Sequence, residues 1–134
     1  MDSVVVFFRS ATFEEVEQTA RGYGFDQGTV TGSREQFEFR RYGQQEIESE
    51  LDGEELARLR SVFGGDPASA FVVSSRHGDA ARFASETLAA LMALHEPSVI
   101  DDDFDSLWTA AELLEHLGSS EDADLFSLRL RAQE

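Results

Sequence analysis

The chain has 134 residues, 41% of them apolar and 11 of them Phe, and its 27 acids against 11 bases give a formal charge of −16. One domain of that length buries roughly two-thirds of its unfolded surface, and the lack of cysteine excludes disulfides and thiolate–metal sites. The charge disfavours nucleic-acid phosphates and anionic lipid as partners. No run approaches the roughly 18 apolar residues of a membrane span, and no basic-then-apolar leader opens the chain. The expectation is one cytoplasmic domain over residues 1–134.

Ser3 to Phe8 is β-branched and aromatic and reads as a buried first strand. Thr12 and Glu15 have capping-box spacing, and the helix they open places Phe13, Val16 and Ala20 on one face. Gly22 ends that helix, and Gly24 and Gly28 punctuate a loop. The Gly22, Gly24, Gly28 spacing follows a helix and opens none, so it is turn chemistry and not a dinucleotide fingerprint.

From Thr29 to Leu51 the period becomes two. Phe37 and Phe39 alternate with Glu38 and Arg40, then Ile47, Ser49 and Leu51 alternate with Glu46, Glu48 and Glu50. This pattern predicts antiparallel strands joined through 42–45, with Arg40 facing a glutamate across the pair. Asp52 caps a short helix with Glu55 at its third position and Leu56, Leu59, and Val62 or Phe63 as its apolar stripe. Gly64 to Pro67 breaks it, and Ala70 to Ser74 reads as a buried strand.

Asp79 opens a helix, Ala80 to Leu94, that is apolar on nearly every side, with Arg82, Ser85 and Glu86 as a narrow wet edge. A helix of that kind is central, buried by several neighbours. Pro97 stops it, Ser98 to Ile100 reads as a short strand, and an acidic run follows: Asp101, Asp102, Asp103 and Asp105 around Phe104. Thr109 and Glu112 form another capping box, with Trp108 and Leu113 spaced as a staple. Phe126, Leu128 and Leu130 alternate with polar residues as a closing strand. The expected fold is α+β: a single mixed, largely antiparallel sheet with about four helices packed on it.

The aspartate run is the best chemical candidate, since carboxylates at a strand's end hold hard cations in many proteins. It lacks the alternation and central glycine of a calcium loop, and adjacent extended residues point apart, so three in a row cannot converge on one ion. The residues alone read as a solvated or partner-facing turn. His77, His95 and His116 are scattered, the latter two placed to complement helix dipoles. Ser74 and Ser75 near His77 lack the strand-turn-helix elbow that would raise a nucleophile. No metal and no cofactor is implied.

Val99 to Leu113, reading VIDDDFDSLWTAAEL, resembles the closing part of small bacterial toxin-immunity proteins, including those of contact-dependent growth inhibition and other polymorphic toxin systems. In those, an apolar helix and short strand run into an acidic turn, and an aromatic–Thr pair then opens a helix. The resemblance covers about the last two-fifths of the chain and extends to size and acidity. It implies a non-enzymatic inhibitor that binds a cognate toxin stoichiometrically, and a basic, nuclease-type toxin suits a −16 chain best. The partner-binding residues expected are Asp101, Asp102, Asp103 and Asp105 with Glu46, Glu48 and Glu50, helped by Glu54 and Glu55. Two alternatives stand beside it. One is a metal-dependent hydrolase using the Asp101–Asp105 cluster; the other is an acidic housekeeping domain adapted to salt.

Overall fold

Alternation along the first strand sorts the core into two sides. A computed structural model describes residues 2–23, 28–31, 36–75, 79–102 and 106–131. In β1 (Asp2–Phe8), Val4, Val6 and Phe8 enter one hydrophobic cluster, while Val5 and Phe7 enter another. Successive side chains on a strand point to opposite faces, so β1 must be covered on both.

Its neighbours are β4 (Ser69–Ser75) and β5 (Ser98–Asp101), with Val5 opposite Val72 on one side and Asp101 on the other. Beyond β4 lie β3 (Gln36–Arg41) and then β2 (Gly28–Thr31); beyond β5 lies β6 (Leu107–Trp108). The order is therefore β2-β3-β4-β1-β5-β6. The fold is α+β, as expected, and the sheet expected to be mixed and largely antiparallel is antiparallel in every described pair.

On the first face, Phe71 is the centre. It stacks on Phe39 at 4.6 Å between centroids and meets Phe13 and Phe8 edge-on at 5.5 and 6.1 Å. Such offset and T-shaped pairs add about 0.5–1.5 kcal/mol each beyond burial. This face is covered by α1 (Phe13–Gly22), α4 (Asp79–Leu94) and α5 (Ala110–Ser119). Ala81, Ala84, Leu88, Leu91 and Met92 of α4 are fully buried there, so α4 is the central helix that its apolar circumference predicts. On the opposite face, α2 (Gln44–Glu50) and α3 (Gly53–Phe63) bury Ile47, Leu59 and Phe63 against Phe7, Val72 and Val99.

Local sequence sets the helix starts. The Thr12 hydroxyl accepts from the Glu15 amide and Glu15 accepts from the Thr12 amide; Thr109 and Glu112 repeat the reciprocal pair. Asp52 accepts from the Glu55 amide at 2.8 Å. Each such cap is worth about 1 kcal/mol. Glu17 grips Arg41 at 2.6 and 3.0 Å, and that hydrogen bond, ahead of their charge attraction, holds the guanidinium pKa above its already high value.

Residues 46–51, expected as a strand, lie in and just after α2. Glu46 Oε1 accepts from the Gly43 amide at the helix start, and Ile47 and Leu51 pack four residues apart on one face. Ser49, the middle member of the apparent alternation, is exposed. The expected closing strand is also helical: a 3-10 turn (Leu125–Ser127) runs into α6 (Leu128–Arg131). Asp124 caps that turn by accepting from the Phe126 and Ser127 amides.

Of the edge of α4 expected to be wet, Glu86 is exposed and Arg82 half-buried, but Ser85 is covered by the 3-10 turn. Ser85 is wholly buried, donating to Ala81 O at 2.6 Å and accepting from the Leu125 amide at 2.7 Å. Arg82 Nη1 lies 3.0 Å from the carbonyls of Leu117, Ser120 and Ala123 and ties down the end of α5. Leu94, the last residue of the helix expected to be apolar on nearly every side, is 59% exposed.

Candidate functional site

The change from strand to helix at 46–50 rearranges the acids expected to bind a partner. On a strand Glu46, Glu48 and Glu50 share a face; on a helix, 100° per residue brings Glu46 and Glu50 together and turns Glu48 away. Glu48 accordingly reaches Gln44 on the outer surface, at 3.2 Å. Glu50 turns instead toward Tyr42, the first residue after β3, while the Glu46 carboxylate takes the Gly43 amide and Arg40 and only its backbone carbonyl lies near the phenol.

Tyr42 is 3% exposed and donates its phenol proton to Glu50 Oε2 at 2.5 Å. Around it opens a cleft of about 220 Å³, floored by Val5, Leu51 and Val72 and walled by Glu50, Glu55, Asp101 and Arg40. Asp101 arrives from β5, opposite Val5 in the sheet, and Glu55 from the first turn of α3. Thus the α2–α3 acids and the start of the aspartate run, about fifty residues apart in sequence, meet in one place.

The electrostatics follow. Burial first, then the bond to Glu50, then the charges of Glu50, Glu46 and Asp101 push the Tyr42 phenol well above its ordinary value near 10. A phenolate added to these carboxylates is unwelcome in this cleft. Arg40 offsets part of that field: its Nε contacts Glu38 at 3.0 Å and its Nη1 contacts Glu46 at 3.3 Å. The arginine–glutamate contact expected across two strands therefore exists, but it runs from a strand to the helix after it.

Asp102 does something different. Neighbours on an extended chain point apart, and Asp102 turns to the α1–α4 side of the sheet. It is 3% exposed and accepts from the Trp108 indole at 2.8 Å and the Ser106 amide at 3.3 Å. Its carboxylate ties Ser106 and Trp108 to the end of β5. Asp103 and Asp105 lie outside the described residues. Glu54 is exposed on α3 and does not line the cleft. Of the nine acids expected, Glu50, Glu55 and Asp101 converge, with Glu46 beside them.

Among the described residues no three His, Asp or Glu side chains are grouped to hold a metal ion. His95 and His116 serve packing: His95 Nε2 meets the Thr19 hydroxyl at 2.8 Å and His116 Nε2 meets Ser127 Oγ at 2.7 Å. His77 lies outside the described residues. Tyr42 was not anticipated as a site residue; the signal available was its spacing of four and eight from Glu46 and Glu50.

Chemically, the cleft offers carboxylates, a phenol and an apolar floor, a combination that takes a guanidinium or ammonium group with its aliphatic stem. Fold and cleft together define an antiparallel α+β protein, helices on both sheet faces, with an acidic recess on one of them. No known protein family, characterised protein or solved structure matches the chain. No helix among the described residues is long and apolar enough to cross a membrane.

Proposed function

We propose that this protein is an immunity protein, a cytoplasmic inhibitor that neutralises a bacterial toxin domain by binding it one to one. The observation that carries the reading is the meeting of Glu50, Glu55 and Asp101 around one cleft in a chain of charge −16. A nuclease-type toxin must grip phosphates and is therefore basic, so its own substrate-binding cations are complementary to this surface. Charge of this kind speeds encounter toward ~10⁸ M⁻¹s⁻¹ at low salt, which suits an inhibitor that must reach its toxin before the toxin reaches nucleic acid. The inhibitor acts by occupancy and performs no catalysis, needs no cofactor, and binds neither nucleic acid nor membrane.

The test is a tagged pull-down from the source organism in low-salt buffer, with a high-salt wash and mass spectrometry. A single basic protein fragment in near-equal amount, released by salt, supports the reading and identifies the toxin. Recovery of no basic partner from cells that express toxin genes argues against it. The competing hydrolase reading expects a divalent-ion-dependent rise in Tm, because a bound ion stabilises only the folded state.

A further inference from the structure

We infer that an apolar groove at the C-terminal end of α3 takes an aliphatic or aromatic side chain of the same basic partner whose cations the acidic cleft receives. The inference rests on the inhibitor reading and adds a second contact to it. The groove, about 520 Å³, is lined by Val62 and Phe63 of α3, by Pro97 and by Val99, with Glu96 and Thr109 at its rim. Val62 stands 54% exposed at its mouth.

Two elements connect groove and cleft. Along α3, Glu55 and Val62 are seven residues apart, which is two turns: the same side of the helix, about 10 Å along its axis. Along β5, Val99 and Asp101 are two residues apart and point to the same face. Both sites therefore open on the α2–α3 side of the sheet, and one partner surface spans them.

The occupant follows from charge. A second copy would bring one −16 chain against another, and like charge rejects it. The groove's own rim carries Glu96, and Glu55 lies two turns away, so an apolar side chain entering here is best flanked by arginine or lysine. Charged contacts chiefly set the rate of encounter, whereas the lifetime of a complex depends on apolar anchors buried in pockets. An inhibitor with only the acidic cleft would bind fast and let go fast. The groove supplies the anchor.

The probe is a synthetic peptide of two arginines, two glycines and one tryptophan, whose spacer reaches about 10 Å. It is compared with its alanine counterpart by NMR titration of the isotope-labelled protein in low salt. The expected result is that the tryptophan peptide shifts the Val62, Phe63 and Val99 amides and binds about tenfold tighter than the alanine peptide. Val62→Glu, or the milder Val62→Ser, removes that advantage while the arginine-driven shifts at Glu55 and Asp101 remain. Equal affinities, with shifts at the cleft alone, overturn the groove and leave the inhibitor reading standing. Failure of both peptides to bind overturns the charge argument beneath both. A dimer in sedimentation that Val62→Glu abolishes makes the second copy the occupant and refutes the proposal.

Discussion

The indole N–H of Trp108, the chain's one tryptophan, donates at 2.8 Å to Oδ2 of Asp102, a residue only 3% exposed. Removing this acceptor strands a donor. Asp102→Ala is expected to cost about 1–3 kcal/mol and to alter the tryptophan fluorescence of the folded state. Asp102→Asn keeps an acceptor oxygen and costs less. A stability unchanged by Asp102→Ala in urea titration would mean that the Asp102–Trp108 contact is not held in solution.

Ser85 joins α4 to the C-terminal 3-10 turn through the Leu125 amide. Ser85→Ala leaves that buried N–H without its acceptor, at an expected cost of about 1–3 kcal/mol. The loss is local first: hydrogen exchange at Leu125 and Phe126 accelerates more than at Val6 or Phe71. Uniform acceleration across the sheet would show instead that the C-terminal turn has no separate stability.

Gly65 sits under the Arg9 guanidinium, which donates to Phe63 O at 3.2 Å and Asp66 O at 3.0 Å and so holds the end of α3. A Cβ there would meet Arg9 Nη2 at 2.6 Å. Gly65→Ala is expected to destabilise by about 1 kcal/mol by displacing these bonds, and to cost nothing further once Arg9 is alanine. Additive effects in that double-mutant cycle would disprove the coupling.

How far the sequence reveals this fold depends on the range of the interaction involved. Thr12 with Glu15 and Thr109 with Glu112 are visible because a cap is complete within four residues. Central α4 is visible because its circumference is apolar. Ile47, Ser49 and Leu51 mislead because an apolar pair four apart with a small residue between satisfies both a strand and a helix. What decides there is tertiary: Ile47 and Leu51 pack on the far face of the sheet, and Tyr42 reaches Glu50. Phe126 and Leu128 mislead for the same reason, since their burial under α4 is invisible locally. The site was half legible. Its acids stand out in the sequence, but Asp102 separates from Asp101 only once the face of β5 is known, and Tyr42 gains meaning only from the acids folded over it.

Tyr42 gives the alkaline limb of stability a cause. Its phenol is pushed above the ordinary value near 10 in the folded state, so between the two values the unfolded chain has lost a proton that the folded chain keeps. Stability then falls as pH rises from about 10 toward the folded value, and is fully present below that range. Tyr42→Phe is expected to lower stability at neutral pH, by removing the bond to Glu50, and to flatten that alkaline decline. Absorbance titration should show the late-ionising phenolate vanish in the variant; a wild-type protein whose tyrosines both ionise near 10 would contradict the geometry.

The cleft's acids predict opposite effects on stability and on binding. Glu50, Glu55 and Asp101 repel one another across a recess of about 220 Å³, so neutralising Glu55 and Asp101 together (Glu55→Gln, Asp101→Asn) should raise Tm in dilute buffer. The gain should shrink as salt screens the cluster, the Debye length falling to about 8 Å at physiological ionic strength. Reversal to Arg at the same two positions should slow association with the captured basic partner by about 10–100-fold at low salt, and by much less in molar salt. Reversal of Glu48, which faces outward beside Gln44, removes the same charge per residue from the chain and serves as the control. If Glu48→Arg slows association as much as Asp101→Arg does, net charge alone steers the partner and the cleft is not where it lands. If only the cleft variants slow it, and their Tm holds or rises, then these acids are kept at a cost to stability for the sake of what they bind.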